Sequence, residues 1–311
     1  MARVCVVIPA YNPGPYLREA VKSVLAQTCT DWELLIVDDG SSEDLSQILR
    51  EFPMAKLIRQ SNRGVAIARN VGILNSHSEF IAFLDADDLW RESKLQRQLE
   101  VMEADNSVAL CYTEFDNINA SGNSLGPGPV RNRSSYLELI EECSIWTSTV
   151  MLRRSCLADC GLFDPLLTMA EDTDLWLKIA RLHKIQLLPS CEVSYRIHEN
   201  NATRNFQMQD AALKEVLRRH QFFAHTHSDK SCLPSLKIGA RHVDTARGAQ
   251  LYKYCRSDLH DRQFGSFLSN FAGALIRDPR LVARSLYCWL LKRLRAPEKW
   301  SIPNSNGQSK S

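Results

Sequence analysis

The sequence predicts an α/β fold, a mostly parallel, doubly wound central sheet flanked by helices and followed by an all-helical C-terminal region. Three observations predict it. Roughly the first two hundred residues alternate short apolar runs with segments of helical periodicity, as repeated βα units do. The apolar runs show no polar alternation, which suits strands covered on both faces. Beyond residue 206 the strand signal stops and apolar spacing near 3.6 takes over.

Residues 4–8 read as a buried strand that ends at Pro9-Ala10-Tyr11-Asn12-Pro13-Gly14, where Pro and Gly force a loop. Leu17, Ala20, Val21, Val24 and Leu25 then mark one face of a helix. Residues 34–37 form a second strand closing on Asp38-Asp39-Gly40-Ser41-Ser42, whose serines are expected to cap a short helix carrying Leu45, Ile48 and Leu49. A weaker strand at 56–58, a helix over 64–74 and a fourth strand at 80–84 follow, the last stopping in Asp85-Ala86-Asp87-Asp88. Further strands are expected at 109–112 and 149–152, with a long polar loop over 119–129 between them. Ala170-Glu171-Asp172-Thr173-Asp174 opens an amphipathic helix. The C-terminal region predicts helices at 211–223, 236–254 and 264–276, then one after Asp278-Pro279 that mixes Leu281, Leu286, Trp289 and Leu290 with Arg280, Arg284, Lys292, Arg293 and Arg295. The expected division is 1–205, 206–300 and a polar, disordered tail at 301–311.

At 311 residues the chain exceeds the usual single-domain size, and 44% hydrophobic with 24% charged residues is an ordinary globular composition. A net charge of +2 argues against a nucleic-acid partner. The ten Cys lack paired CxxC spacing and suit reduced, buried thiols. With no signal-peptide core and no apolar run long enough to span a bilayer, the expected location is the cytoplasm.

The strand ends share a chemistry of acids, amides and small residues, suited to a nucleotide. Asp85 and Asp87 are two hard oxygen donors that can converge on Mg²⁺ or Mn²⁺, which on carboxylates also holds phosphates. The competing reading is a plain turn with Asp88 capping the next helix. Neither G-x-G-x-x-G in the first loop nor G-x-x-x-x-G-K-[ST] anywhere is present, so dinucleotide redox and P-loop readings lose their support.

Four motifs in order carry a resemblance. Val6-Val7-Ile8-Pro9-Ala10-Tyr11-Asn12, Trp32-Glu33-Leu34-Leu35-Ile36-Val37-Asp38-Asp39-Gly40-Ser41-Ser42, Asn62-Arg63-Gly64-Val65-Ala66-Ile67-Ala68-Arg69-Asn70 and Phe83-Leu84-Asp85-Ala86-Asp87-Asp88 closely resemble the family 2 glycosyltransferases, over residues 4 to about 201. The resemblance implies a GT-A fold and a metal-dependent, inverting hexosyltransferase. Its donor would be a nucleoside-diphosphate sugar, UDP-linked by expectation, and its acceptor a saccharide or lipid-linked hydroxyl in cell-surface polysaccharide synthesis. By matching motif, Asp39 would hold the pyrimidine base, and Ala10, Tyr11 and Asn12 would line the nucleotide pocket with Asn62 and Arg69 close by. Asp85 would face the ribose and the metal, and Asp87 would ligate Mg²⁺ or Mn²⁺ at the diphosphate. As plain structure, Asp39 would be a turn residue before Gly40 and Arg69 an exposed helix charge.

The same resemblance makes Asp172 the general base and sets Glu171 against the acceptor. Acids also favour a helix N-terminus, so Glu171-Asp172-Thr173-Asp174 has a structural reading as well. His198, in Tyr195-Arg196-Ile197-His198, resembles a third metal ligand of many relatives, although a lone His is more often structural. His220, His225 and His227 are read as solvated. The last basic helix either packs on the α/β part or lies peripherally on the inner face of the membrane. Two other function classes stay open, a nucleotide-sugar-binding protein without turnover and a nucleotidyltransferase, though the latter would carry a basic Gly-rich loop where 9–15 has no Lys or Arg.

Overall fold

A computed structural model of the chain describes residues 2–199, 201, 205–227, 231–260, 264–279 and 282. They fall into two compact units, the first ending at Ala240 and the second beginning at Arg241. The first unit opens with β1 (Val4–Ala10), α1 (Tyr16–Leu25), β2 (Trp32–Asp38), α2 (Ser46–Glu51), β3 (Ala55–Arg59), α3 (Val65–Leu74) and β4 (Phe80–Phe83). These strands run parallel in the order β3-β2-β1-β4. Next come β5 (Leu89–Trp90), α4 (Lys94–Ala104), β6 (Val108–Asn119), β7 (Ser124–Pro127), α5 (Tyr136–Glu141), the 3₁₀ turn Thr147–Thr149, β8 (Met151–Arg153), α6 (Leu157–Cys160), α7 (Glu171–Leu182), β9 (Lys184–Ile197) and α8 (Phe206–Thr226). They extend the same sheet as β4-β8-β6-β9-β5, with β8 antiparallel to both its neighbours and β7 added on β6. The result is a mostly parallel central sheet flanked by helices.

Strand periodicity accounts for the unbroken apolar runs. Cys5 and Val7 join one buried cluster, with Ala66, Ala68 and Ile73 of α3 and Trp176 of α7. Val4, Val6 and Ile8 join a second, with Leu17, Val21 and Val24 of α1. Alternate residues serve opposite faces and both faces are covered, so no position is left for a polar residue. On the first face α3 lies so close to β1 that a Cβ on Gly72 would overlap both methyls of Val7.

Several expected elements sit differently. The strand expected at 109–112 runs on to Asn119, and the polar loop over 119–129 is largely a hairpin in which Asp116 pairs with Pro127. Asn119 Oδ1 accepts the Ser121 and Asn123 amides while Gly122 takes φ +83, a turn chemistry that lets the strand fold back. The strand expected at 149–152 is shifted to Met151–Arg153 because Thr147–Thr149 form the 3₁₀ turn. Ser41 and Ser42 do not cap α2, since both bond to Asn12.

The first compact unit runs past the expected boundary at 205 to Ala240, and α8 packs into it through buried Val216, His220 and Ala224. His220, read as solvated, is therefore 3% exposed and bonded through Nδ1 to the Tyr136 hydroxyl at 2.8 Å, whereas His225 and His227 are exposed. Beyond, α9 (Leu233–His260) crosses the boundary and α10 (Phe264–Arg277) lies in the second unit, where Phe271 packs on Ala274 and Val282. The basic stretch 280–295, apart from Val282, and the tail 301–311 lie outside the described residues.

Candidate active site

In a parallel sheet the carboxyl ends of the strands open onto one edge, and the crevice there is where ligands bind. After β1, Asn12 adopts φ +46, a left-handed conformation that Asn tolerates. Its amide donates to Ser41 Oγ at 2.9 Å, and its Oδ1 accepts the Ser42 amide and hydroxyl at 2.9 and 3.0 Å. Asn12 thus clasps the loop after β2, while Tyr11 stands 55% exposed and Ala10 is buried with its carbonyl taking the Asp39 amide. Asp39 is 4% exposed and accepts from Gln60 Nε2 (2.6 Å), the Arg63 amide (2.8 Å) and the Gly64 amide (2.8 Å). A carboxylate has about four acceptor positions. Three are filled, which leaves one. Asn62 is exposed, and its amide nitrogen would lie 2.7 Å from a Cβ on Gly40, whose φ is +82.

The acidic turn after β4 closes with the Asp88 amide on the Asp85 carbonyl at 3.1 Å. Asp88 caps no helix, since Ser93 holds the N-cap position of α4. It is 1% exposed, with Oδ2 accepting the Ser148 hydroxyl at 2.6 Å and Oδ1 the Arg196 amide at 2.9 Å. Burial, then the charges of Asp87 and Asp85, hold its carboxyl well above the usual range. The same Ser148 oxygen accepts the Asp85 amide at 3.1 Å.

Asp87 and His198 meet, Oδ2 to Nε2 at 2.8 Å, and the Tyr16 ring packs on the imidazole with centroids 5.0 Å apart. Burial and the neighbouring Asp85 charge push the Asp87 carboxyl up, against the lowering effect of His198. Among the described residues no group of three or more His, Cys, Asp or Glu is set to hold a metal. The chemistry of the donors still fits a divalent cation. Asp85 and Asp87 repel one another in a partly buried turn, a cost that a cation relieves as a proton would, and their oxygens suit Mn²⁺ or Mg²⁺ completed by water or phosphate oxygens, the imidazole nitrogen favouring the softer Mn²⁺ of the two.

Arg69 is the link between the two sides of the crevice. It lies on α3, 4% exposed, with Nη2 on Asp85 Oδ1 at 2.7 Å and Nη1 on Glu171 Oε1 at 2.5 Å. Its guanidinium centre lies 5.4 Å from the centroid of the Phe163 ring. Burial opposes its charge, but Asp85, Glu171 and Asp172 together raise its pKa, so the exposed-charge reading does not apply. Glu171 is 6% exposed, and burial raises its carboxyl against the opposing pull of Arg69. Asp172 is half-buried, with Oδ1 accepting the Thr173 amide at 2.6 Å and Oδ2 the Thr147 hydroxyl at 2.9 Å. Before them Ala170 takes φ +58, left-handed for a residue with a Cβ, and directs the chain into α7.

Sequence reasoning missed Thr147, Ser148 and Arg196. Arg196 is 1% exposed and sends Nε to the Asp87 carbonyl, Nη1 to the Ala120 carbonyl and Nη2 to Glu19, with its guanidinium centre 4.6 Å from the Tyr16 ring centroid. It fixes the backbone of the acidic turn while its own amide holds Asp88. The available signal was its place two residues before His198, at the close of an expected strand. For Thr147-Ser148-Thr149 the signal was a run of hydroxyls between Trp146 and Val150, polar groups that need partners when buried.

The profile described as Glycosyl transferase family 2 matches residues 5–157. An uncharacterized glycosyltransferase of Rickettsia conorii is 36% identical over 189 residues, 59% of this chain and 31% of that protein, so the chain spans less than a third of that relative. The UDP-Glc:alpha-D-GlcNAc-diphosphoundecaprenol beta-1,3-glucosyltransferase WfgD of Escherichia coli is 30% identical over 207 residues, 65% of this chain and 80% of that protein. Among solved structures, S. aureus TarS 1-349 in complex with UDP-GlcNAc aligns with a TM-score of 0.58 at 19% identity, over 87% of this chain and 89% of that one, a likeness of fold.

Proposed function

The chain belongs to glycosyl transferase family 2, and from that premise we propose that it moves a hexosyl group from a UDP-sugar to a hydroxyl of a saccharide or lipid-linked acceptor, with inversion, in cell-surface polysaccharide synthesis. The donor and acceptor classes follow from WfgD, whose name gives a UDP-sugar and a diphosphoundecaprenol-linked sugar, and from the UDP-GlcNAc complex of TarS. The observation that carries the reading is Arg69, which bridges a donor-side carboxylate, Asp85, to an acceptor-side one, Glu171, next to Asp172.

Asp39 receives the pyrimidine edge at its remaining acceptor position, with Tyr11 and Asn62 beside it. Asp85 faces the ribose. Asp172 accepts the proton from the acceptor hydroxyl as that oxygen bonds to the anomeric carbon, and the electron pair of the breaking bond leaves with the nucleoside diphosphate. Attack opposite the leaving group inverts the configuration. A Mg²⁺ or Mn²⁺ ion held by Asp87 with His198 and Asp85 would neutralise the charge of the departing diphosphate. Glu171, neutralised in part by Arg69, presents an oxygen to a second acceptor hydroxyl.

Thermal shift with a panel of UDP-sugars, with and without Mn²⁺, tests the reading. Stabilisation by UDP and a subset of its sugars, strengthened by Mn²⁺, is expected. Failure of UDP and every UDP-sugar to move the melting temperature would overturn it.

A further inference from the structure

The 3₁₀ turn Thr147–Thr149 is buried in the crevice wall, its three residues 4, 2 and 1% exposed. Such a turn in an interior must have every polar group answered, and the partners here are informative. The Ser148 carbonyl accepts Trp90 Nε1 at 2.8 Å and the Thr149 carbonyl accepts Gln98 Nε2 at 2.9 Å, which anchor the turn to β5 and α4. The Thr149 hydroxyl donates back to the Trp146 carbonyl at 2.6 Å. Two hydroxyls remain, and both go to site acids. Ser148 holds the acidic turn through Asp85 and Asp88, and Thr147, the adjacent residue, donates to Asp172 Oδ2.

We propose that Thr147 is a positioning residue for the reaction. Resting on the function proposed above, the inference is that its hydroxyl fixes the rotation of the Asp172 carboxylate, from a turn whose next residue fixes the donor-side acids. With Oδ2 held by Thr147 and Oδ1 by the Thr173 amide, the carboxylate plane is set at both ends. Oδ1 also accepts the Thr173 hydroxyl at 3.4 Å, so Oδ2, the oxygen that Thr147 holds, is the one that keeps an acceptor position for the acceptor's proton. A base held within a few tenths of an ångström and about 10–20° of productive geometry needs this kind of support, and neither Glu171 nor Arg69 bonds to Asp172 to supply it. The consecutive placement of Thr147 and Ser148 puts base and donor turn in one rigid frame.

Thr147→Val keeps the volume and removes the hydroxyl, while Thr147→Ser keeps the hydroxyl. With Mn²⁺, UDP release from UDP-glucose and from UDP-N-acetylglucosamine, UDP affinity by calorimetry and melting temperature are measured on each. The proposal expects kcat to fall by about 10- to 100-fold in Thr147→Val, with donor KM and UDP affinity within about two-fold, and Thr147→Ser to restore most of kcat. A kcat within about two-fold of the parent, or parallel loss of kcat and UDP affinity, or no restoration by Ser, overturns it. Should the parent release UDP from neither donor, the thermal-shift panel of UDP-sugars decides the proposed function separately. The carboxyl ¹³C resonance of Asp172, assigned with Asp172→Asn, then still decides the role of Thr147. Displacement in Thr147→Val and return in Thr147→Ser support it, and an unmoved resonance sinks it.

Discussion

Asp172 and Asp87 lie on opposite sides of the Arg69 bridge, and the two carboxylates should fail in different ways. Asp172→Asn keeps the shape and the Thr173 amide contact, with the Thr147 hydroxyl turned to accept from the new NH₂, but removes a proton acceptor, so transfer should drop by about 10²–10⁴-fold while UDP affinity barely changes. A purely helix-capping role predicts the reverse, near-normal turnover with a small change in melting temperature, since Asn caps about as well as Asp. Turnover and melting temperature on one sample separate them. Asp87→Ala should leave the fold intact and abolish the gain in UDP affinity that Mn²⁺ gives, because it removes the carboxylate paired with His198. Calorimetry showing the same Mn²⁺-dependent UDP affinity in the variant would refute the metal assignment. The motifs pointed to these acids by where they stand, Asp39, Asp85 and Asp87 where an apolar run ends and Glu171 and Asp172 where a helix opens. That Asp39 already accepts three donors, and that Arg69 is shared between two acids, could not be read from the chain.

Among the elements, α3 carries Arg69 and owes its seat on β1 to Gly72. Gly72→Ala brings a methyl against Val7 and should destabilise by about 1–3 kcal/mol, with misplacement of Arg69 lowering UDP affinity as well. Adding Val7→Ala should recover part of the loss, which denaturant titration of both singles and the double would show as a non-additive cycle. The docking of α8 on α5 and α7 predicts a pH dependence. Burial, with Arg181 and Lys178 adding to it, holds the His220 imidazole down to about 3 from 6.5. The unfolded chain then binds a proton near pH 6.5 that the folded chain refuses. The stability tied to neutral His220 is therefore complete above pH 6.5 and is lost progressively as pH falls toward 3. Melting temperature between pH 7.5 and 5 should fall less steeply in His220→Gln than in the parent, and equal slopes would remove His220 from the account. Helical spacing announced α8, but not that its histidine faces inward, since a lone His fits either face.

For the molecule as a whole, no helix among the described residues is long and apolar enough to cross a membrane. The basic residues between 280 and 295 are proposed to hold the chain on an anionic surface, where clustered Lys and Arg contribute roughly 1 kcal/mol each. Flotation with anionic liposomes should be lost when the chain is cut before Asp278, and equal flotation of the cut and full-length proteins would count against the proposal. The α/β architecture and the acids at its strand ends were legible from sequence alone, because burial on both faces is a local demand that writes unbroken apolar runs. The parallel strands β1, β2 and β4 then carry their ends to one edge by geometry. Which side chains answer those acids was decided by tertiary structure. Thr147 meets Asp172 across 25 residues, Ser148 meets Asp88 across 60, and Arg69 meets Glu171 across 102. Such pairings arise only once β8 is inserted antiparallel between β4 and β6, since a hydrogen bond depends on where two groups lie in space and leaves no period in the chain.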